Sequence, residues 1–186
     1  MGTSRRQKAE SRRAIVDTAA RLFRERGIDG VSVAEIMDGA GLTHGGFPRH
    51  FANKQELVGE ALATALSAQG GEAGLAAFAD AYLRPEHRDN PGAGCVYAAL
   101  GPEASRGSAE TRHLLTQTME RQIANFAQTA PGETEQQRRN AAIGGWSTMI
   151  GAMILARLSD STDLSQEILS AARSYLDVEA APSVKS

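Results

Sequence analysis

The sequence predicts an all-α fold, and three observations lead to that prediction. Apolar residues recur at helical spacing along most of the chain, as at Ile15, Ala19 and Phe23, which share one face of a helix. No stretch shows the alternating, β-branched pattern of a strand. Helix-start signals separate the apolar stripes. The clearest is the capping box of Ser32 and Glu35, two side chains that cap each other's backbone amides.

The first third of the chain predicts a helix, a short helix, a tight glycine turn, a second short helix and a long helix within residues 9–66. Gly27 is well placed for the left-handed cap that ends the first helix. The turn at residues 39–41 reads Gly-Ala-Gly and ends the second helix. Thr43 is expected to cap the helix that follows, and Asn53 begins another capping pattern before the long helix.

The remaining two thirds predict further helices with breaks between them. Residues 69–74 are predicted to be a soft hinge and residues 84–94 a loop, because glycine and proline interrupt the helical pattern there. Apolar stripes of helices lie at 75–82, 115–126, 133–158 and 164–176, with a short apolar segment at 95–100 and a frayed tail over 178–186.

Charge is unevenly distributed along the chain, whose 20 basic and 22 acidic side chains give a net charge of −2. Residues 1–66 carry +2 and residues 67–186 carry −4, and the first 13 residues alone carry +4. A basic N-terminus on an acidic remainder is typical of a small nucleic-acid-binding module attached to a larger body. A solvated basic tail would give the same pattern.

Composition excludes several classes of protein. An apolar fraction of 41% with 23% charged residues excludes bulk disorder and a collagen-like chain. The single cysteine, Cys95, excludes an intramolecular disulfide and a Cys-rich zinc site. The longest uncharged run has 17 residues between Arg139 and Arg157, whereas a membrane span needs about 20 predominantly apolar residues. With no secretory signal pattern either, we expect a cytoplasmic protein.

Two short helices joined by a glycine-containing turn are the signature of a helix-turn-helix motif. The second of these helices begins His44-Gly45-Gly46, although glycine in a helix costs up to about 1 kcal/mol relative to alanine. Small and polar residues suit a helix whose N-terminus enters the DNA major groove, because they allow close approach to base edges. Lys54, at the start of the following helix, adds a cation beside amides that favour a phosphate.

These residues give the N-terminal region a resemblance to the TetR family of transcriptional repressors. The similarity runs from Arg12 through Gly27, the 40–42 turn and His50-Phe51 to Leu57, and covers roughly residues 12–60. The resemblance implies an all-helical homodimer of about nine helices per chain that binds palindromic double-stranded operator DNA and is released by a small-molecule inducer. It implies a DNA-binding domain with a basic arm over residues 1–60, a ligand-binding and dimerisation domain over 61–178 and a flexible tail over 179–186.

The resemblance also assigns roles to individual residues. Phe47 and Phe51 match buried positions that tie the recognition helix to the core. Lys54 matches a phosphate clamp at the start of the fourth helix. The expected DNA contacts are Ser32, Thr43, His44, Gly45, Gly46, Arg49, His50 and Lys54, together with Arg5, Arg6 and Lys8 of the basic arm.

Position 48 departs from the family pattern, because it is proline where the family usually carries an aromatic residue that contacts a phosphate. Proline inside a helix removes an amide donor and crowds the preceding turn, so a distorted recognition helix is expected. Two other functions therefore stay open. One is a small-molecule-binding protein of this fold whose DNA binding is weakened or lost through Pro48. The other is a thiol-based sensor of oxidants or electrophiles that acts through Cys95.

In the C-terminal body, the resemblance implies an inducer pocket and a dimer interface formed by the last two helices. Cys95 is either a small buried apolar residue or a sensing thiol. Pocket candidates are Phe78, Tyr82, Cys95, Tyr97, Met119, Gln122, Phe126, Trp146 and Met149, although a packed core would use the same residue types. Interface candidates are Gly144, Gly151, Met153, Ile154, Leu164, Ile168, Ala172 and Tyr175.

No catalytic or metal-binding pattern accompanies these features, so we expect neither an enzyme nor a cofactor. Residues 44–46 read His-Gly-Gly, as in the oxyanion segment of esterases, but the chain lacks a G-x-S-x-G nucleophile motif, to which residues 145–149 come nearest. The four histidines, at 44, 50, 87 and 113, contain no i, i+3 or i, i+4 pair, so no metal site is predicted on a helix.

Overall fold

A computed structural model describes residues 5–69 and 73–180, which form nine α-helices and two short 3₁₀ helices. The prediction of an all-α fold is therefore confirmed. The α-helices are α1 (Arg5–Arg26), α2 (Val33–Gly39), α3 (Lys54–Gln69), α4 (Leu75–Tyr82), α5 (Pro85–Arg88), α6 (Val96–Ser105), α7 (Ala109–Ala127), α8 (Glu135–Leu158) and α9 (Thr162–Ala180). The 3₁₀ helices are His44–Arg49 and Pro91–Ala93.

The chain divides into two compact units. Unit 1 comprises Met1–Gln69 and Pro91–Arg112, and unit 2 comprises Gly70–Asn90 and His113–Ser186. Unit 1 therefore holds the predicted helix-turn-helix region and also α6, which comes from later in the chain. The predicted domain boundaries at residues 60 and 178 remain predictions.

The core of unit 1 forms where α2 and α3 pack on α1. Ile15, Phe23, Ile36, Met37 and Leu57 are fully buried there. The first helix ends as predicted, because Gly27 adopts the left-handed conformation (φ +80°) and its amide donates to the carbonyl of Phe23 at 2.8 Å.

Helix starts in unit 1 confirm two of three predicted caps. The Ser32 hydroxyl accepts from the Glu35 amide at 3.2 Å, and the Glu35 carboxylate accepts from the Ser32 amide at 2.9 Å. Asn53 Oδ1 accepts from the amide of Glu56 at 2.9 Å. The prediction for Thr43 is wrong, because its side chain makes no capping hydrogen bond to the helix that follows.

In unit 2, α8 packs against α9, and α4 packs against both. Phe126, Met149 and Met153 are fully buried in this part of the chain. A second capping box starts α8, with Thr134 Oγ1 accepting from the Gln137 amide at 3.2 Å. The helix therefore begins at Glu135, two residues after the predicted start.

Three further expectations differ from the structure. The predicted loop at 84–94 contains α5 and a 3₁₀ helix, and the short apolar segment at 95–100 is the first half of α6. The predicted basic arm is helical, because Arg5, Arg6 and Lys8 lie in the first turns of α1. Half of the predicted hinge (70–72) and most of the predicted tail (181–186) lie outside the described residues, and residues 178–180 still belong to α9.

Helix α8 is the one described helix that is long and apolar enough to cross a membrane by length and composition. This is weak evidence for a membrane span, because a helix from the core of a water-soluble protein meets the same criteria. Seven residues of α8 are buried in the protein itself, among them Trp146 and Met149.

Candidate nucleic-acid interface

The predicted helix-turn-helix motif consists of α2, a tight turn and the 3₁₀ helix His44–Arg49. Gly41 turns the chain with a left-handed backbone (φ +70°), and its amide donates to the carbonyl of Asp38 at 3.0 Å. The amide of Leu42 donates to the carbonyl of Met37 at 2.9 Å. These bonds close the end of α2 and fix the direction in which the next helix starts.

The second helix of the motif is a 3₁₀ helix of six residues, with Pro48 inside it. The expected distortion of this helix is thus present. A 3₁₀ helix has about three residues per turn and rises about 2.0 Å per residue, so side chains three positions apart line up. Gly45 therefore lies in line with Pro48, and Gly46 in line with Arg49.

Two buried phenylalanines anchor this 3₁₀ helix to the rest of unit 1. Phe47 and Phe51 are buried, as predicted, and their rings stack with centroids 5.6 Å apart. The amide of His50 donates to the carbonyl of Phe47 at 2.9 Å, and that of Phe51 donates to the same carbonyl at 3.1 Å. One face of the segment is thereby fixed and the opposite face is turned outward.

The outward face carries most of the predicted base-reading residues. Thr43, His44, Gly45, Pro48 and Arg49 are exposed, and Gly46 is half-buried. A Cβ atom added to Gly45 would meet no atom of the chain within 4 Å, and Gly45 has no positive φ. Neither packing nor backbone conformation in the described part of the chain therefore requires glycine at position 45.

Arg12 joins α1, the 3₁₀ helix and α3. Its guanidinium donates to the carbonyl oxygen of His50 and to Glu56 Oε1 at 3.1 Å, and lies over the Phe51 ring at 4.0 Å from the centroid. A hydrogen bond to Glu60 raises the pKa of Arg12. The sequence argument did not count Arg12 among the site residues, although the family resemblance begins there.

His50 ends the 3₁₀ helix beside a group of cations. Its Nδ1 atom is buried and has no hydrogen-bond partner among the residues that the structure describes. Burial lowers the pKa of His50, and the charges of Lys8, Arg12 and Arg49 lower it further. Three cations of this region therefore act on His50 at the C-terminal end of the 3₁₀ helix.

Two predicted phosphate contacts already have partners within unit 1. Lys54 Nζ donates to the carbonyl of Ile28 at 2.6 Å and lies 5.9 Å from the centroid of the Phe23 ring. The hydroxyl of Ser32 donates to Glu35 Oε2 at 2.7 Å within the capping box. The role of Ser32 inside the protein is the predicted cap, whereas that of Lys54 was missed by sequence reasoning because its partner is a backbone carbonyl.

The basic residues at the start of α1 are all exposed. Arg6 Nε pairs with Glu10 Oε1 at 2.8 Å, one helical turn later, and Arg5 and Lys8 lie in the same two turns. Since both sides of the Arg6–Glu10 pair are solvent-exposed, the pair contributes little to stability. These cations remain available to a polyanion.

The candidate pocket residues are divided between the two units. In unit 2, Phe78 contacts both Tyr82 and Phe126, with ring centroids 5.5 and 5.0 Å apart, and Phe126 lies 6.2 Å from Trp146. Cys95, buried at the start of α6, and Tyr97 belong to unit 1. The other candidates are the buried Met149 and the half-buried Met119 and Gln122. The inducer pocket stays a prediction.

Unit 2 also contains a polar cleft of about 260 Å³, which none of those candidates lines. Arg88 donates across it to Ser165 Oγ at 2.8 Å, and Arg157 Nε donates to the carbonyl of Arg88 at 3.0 Å. The remaining lining residues are Asp89, Ala156, Ser159, Asp160 and Thr162. The guanidiniums thus hold the C-terminal end of α5 against the end of α8 and the start of α9.

The candidate interface residues on α8 and α9 differ in exposure. Leu164 and Tyr175 are 49% and 56% exposed, and Leu155 and Leu158, which sequence reasoning did not select, are 56% and 75% exposed. Ile154, Ile168 and Ala172 are half-buried, and a Cβ at Gly144 or Gly151 would meet nothing within 4 Å. Met153 was wrongly selected: it is fully buried in the protomer, so its side chain has no surface to offer a partner.

Within residues 5–69 and 73–180, no group of three or more His, Cys, Asp or Glu side chains is arranged to hold a metal ion.

The N-terminal region is similar in sequence to known regulatory proteins. Residues 15–61 match the family model described as bacterial regulatory proteins, tetR family. The HTH-type transcriptional repressor KstR2 of Mycobacterium tuberculosis is 44% identical over 48 residues, which are 26% of this chain and 24% of KstR2. The HTH-type transcriptional regulator AcrR of Shigella flexneri is 37% identical over 57 residues, 31% of this chain and 26% of AcrR. The matches thus span about a quarter of these relatives.

Similarity in fold extends over nearly the whole chain. The reduced form of Escherichia coli NemR superposes with a TM-score of 0.72 at 22% identity, covering 94% of this chain and 99% of NemR. A TetR transcriptional regulator from Chloroflexus aurantiacus gives a TM-score of 0.69 at 23% identity, covering 92% and 96%. Residues 15–61 thus match the N-terminal module of the tetR family of bacterial regulatory proteins, and the chain shares its fold with the TetR-family regulators.

Proposed function

We propose that the chain is a transcriptional repressor that binds palindromic operator DNA as a homodimer and is released by a small-molecule inducer in the cytoplasm. The DNA-binding proposal rests on Gly45, an exposed glycine in the first turn of the 3₁₀ helix. Nothing within 4 Å of its Cβ position excludes a side chain, and its backbone does not need glycine's freedom. A partner that must approach the backbone closely explains such a glycine, and the edge of a base pair is such a partner.

Charge around the motif supports the same partner. The charges of Lys8, Arg12 and Arg49 lower the pKa of His50, and Arg5 and Arg6 are exposed in the first turn of α1. Phosphate contacts are made by cations of this kind and position a protein on the duplex without reading sequence. Thr43 and His44 are the side chains proposed to read base edges, because they are exposed at the start of the 3₁₀ helix.

The dimer proposal rests on the exposed apolar residues of α8 and α9. Leu155 and Leu158 on α8 and Leu164 and Tyr175 on α9 leave large apolar side chains in water. An apolar patch of this kind on a folded protein marks an interaction surface. Pairing with a second copy would bury it, and a two-fold symmetric dimer accounts for a palindromic operator.

Selection from a pool of random-sequence duplexes tests the DNA-binding proposal directly. Wild-type protein is expected to enrich one sequence with two inverted half-sites. Gly45→Ala is expected to bind the enriched duplex about tenfold more weakly, since a good contact to a base is worth about 1–3 kcal/mol. Gly59→Ala is the matched control, because a Cβ there also meets nothing within 4 Å, but Gly59 lies in α3 and outside the proposed contact.

The outcomes separate the open functions. If no sequence is enriched, the repressor proposal fails, and the open function that invokes Pro48 is a small-molecule-binding protein whose DNA binding is weakened or lost. If Gly45→Ala binds as tightly as Gly59→Ala, residues 43–46 do not lie on the DNA. The thiol-sensor function gains no support from position 95, because Cys95 is only 7% exposed.

A further inference from the structure

The turn that follows α1 is held from two sides by charged side chains of unit 1. The Ile28 amide donates to both carboxylate oxygens of Glu103, at 3.1 and 3.2 Å. The Ile28 carbonyl accepts from Lys54 Nζ at 2.6 Å. Since Glu103 lies on α6 and Lys54 begins α3, one residue of the turn connects both helices to the end of α1.

The fit between Glu103 and this turn is close. Gly27, the residue before Ile28, has φ +80°, and a Cβ there would lie 2.9 Å from Glu103 Oε1. Any residue other than glycine at position 27 would therefore have a strained backbone, and its Cβ would push the carboxylate away. Glu103 itself is half-buried, so its bond to the Ile28 amide is partly shielded from water.

A second attachment holds the segment that leads into α6. The Gly92 carbonyl accepts from Arg24 Nε at 2.8 Å and from Arg24 Nη2. Gly92 is buried against α1, and a Cβ there would lie 2.4 Å from Glu25 Oε1 and 2.9 Å from Arg21 Cγ. Thus the residues before α6 and the far end of α6 are both fixed to the last two turns of α1 and the turn after it.

We propose that Glu103 is a positioning residue for DNA recognition, a role that rests on the proposed function. Its carboxylate holds Ile28, and Ile28 in turn holds Lys54, the first residue of α3 and only a few positions after the 3₁₀ helix. Loss of the carboxylate frees the turn before α2 and loosens the anchor of Lys54. Glu103 thereby governs DNA affinity from outside residues 15–61, the segment that matches the family model.

The sign of the effect distinguishes positioning from simple electrostatics. Removal of any acidic side chain makes the protein more positive, which by itself strengthens binding to a polyanion. Removal of a positioning carboxylate weakens binding instead. A second distinction is the salt dependence of affinity, whose slope counts phosphate contacts and stays constant when none is lost.

The experiment compares wild type with Glu103→Ala, Glu103→Gln and the control Glu120→Ala, which removes an exposed carboxylate from α7. The probes are the duplex enriched by wild-type protein and a random-sequence duplex of equal length, each titrated at several NaCl concentrations. Glu103→Ala is expected to bind the enriched duplex about tenfold more weakly with an unchanged salt slope, because a hydrogen bond to a charged group is lost. The affinity of Glu103→Gln for this duplex is expected to lie between those of wild type and Glu103→Ala. Glu120→Ala is expected to bind at least as tightly as wild type.

Hydrogen exchange gives a readout that needs no DNA. Peptides that contain Ile28 are expected to exchange faster in Glu103→Ala than in wild type and to be unchanged in Glu120→Ala. Unchanged exchange at Ile28, or affinity equal to or above that of wild type, would overturn the proposal. An equal loss on both duplexes with a shallower salt slope would also overturn it, because Glu103 would then affect phosphate contacts. If Glu103→Ala does not fold, Glu103→Gln decides by the same criteria.

Failure of the proposed function gives a different result. In that case wild-type protein enriches no duplex, and both proposals fall together. When wild type enriches a duplex and Glu103→Ala binds it normally, only the role of Glu103 is refuted.

Discussion

The two short helices of the motif are held in different ways. Helix α2 begins with a complete capping box between Ser32 and Glu35 and buries Ile36 and Met37. The 3₁₀ helix that follows has no side-chain cap at Thr43 and contains a proline. Local sequence therefore specifies α2, whereas the 3₁₀ helix is kept in place by its phenylalanine anchors and by Arg12, which reaches it from α1.

The stability of the two helices should therefore respond to different mutations. A helix specified by its own cap responds to changes within a few residues of its start. A helix held by anchors responds to loss of buried area, even when its own hydrogen bonds stay intact. Loss of an anchor should therefore cost more stability than loss of a cap, and titration of a single side chain should cost least.

The largest effect is expected for Phe51→Ala. Phe51 is buried, stacks on Phe47 and lies under the Arg12 guanidinium, so truncation should cost about 3–5 kcal/mol of unfolding free energy. Denaturant unfolding measures the loss, and hydrogen exchange should show lost protection over residues 43–51 with α2 still protected. Phe51→Leu keeps much of the volume and should cost less than about 1.5 kcal/mol. A loss below 1.5 kcal/mol for Phe51→Ala would mean that something other than Phe51 anchors the 3₁₀ helix.

An intermediate effect is expected at the two helix starts. Ser32→Ala removes the cap of α2 and should cost about 1 kcal/mol, within a range of about 0.5–2 kcal/mol. Thr43→Ala should change stability by less than about 0.5 kcal/mol, because the Thr43 side chain makes no cap bond. Thermal unfolding of the two variants under identical conditions measures both values. Equal losses would show that the helices do not differ in this respect.

The smallest effect is expected in the pH dependence of stability. Burial and nearby cations lower the pKa of His50 below its ordinary 6.5, so the unfolded chain takes up the proton first as the pH falls. His50 therefore contributes stability above pH 6.5 that is lost below it, down to the lowered pKa. His50→Gln should reduce the fall in melting temperature between pH 7 and 5.

Glu35 titrates in a separate window. The bonds from Ser32 lower the pKa of Glu35 below its ordinary 4.5, so the cap contributes stability above pH 4.5 that is lost as the pH falls through the lowered value. Ser32→Ala should leave the slope of melting temperature against pH unchanged between pH 7 and 5 and should reduce that slope below pH 4.5.

If His50→Gln keeps the wild-type slope of melting temperature between pH 7 and 5, His50 does not titrate as we expect.

The elements that the sequence predicted well depend on local interactions. The end of α1 at Gly27, the capping box of α2 and the burial of Phe47 and Phe51 each involve residues within a few positions of one another or a clear apolar spacing. The expected distortion at Pro48 is also local, because the lost amide and the crowded turn belong to the same helix.

Interactions between distant residues could not be predicted from the sequence. Glu103 lies 75 positions from Ile28, and Gly92 lies 68 positions from Arg24. Each of these contacts uses a backbone atom as one partner, so no complementary pair of side chains signals it. The same reason explains Lys54, which the sequence offered as a phosphate contact and the structure connects to a carbonyl.

The sequence also did not predict which side chains of the C-terminal helices are buried. Met153 belongs to the same apolar, glycine-containing helix as its exposed neighbours, and periodicity alone did not separate the face that is buried from the face that is open. Leu155 and Leu158, the more exposed residues, were missed for the same reason. The α5 helix was missed because its four residues are too few to give a periodic signal.

The position of α6 in unit 1 has a consequence for synthesis of the chain. Unit 1 takes Met1–Gln69 first and Pro91–Arg112 only later. At about 5–20 residues added per second, the ribosome needs about 2–9 s to extend the chain from Gln69 to Arg112. The residues of the motif have by then been synthesised. Glu103, whose carboxylate accepts from the Ile28 amide, is added only later in this interval. The helices of the motif are thus translated well before Pro91–Arg112, the segment that completes unit 1.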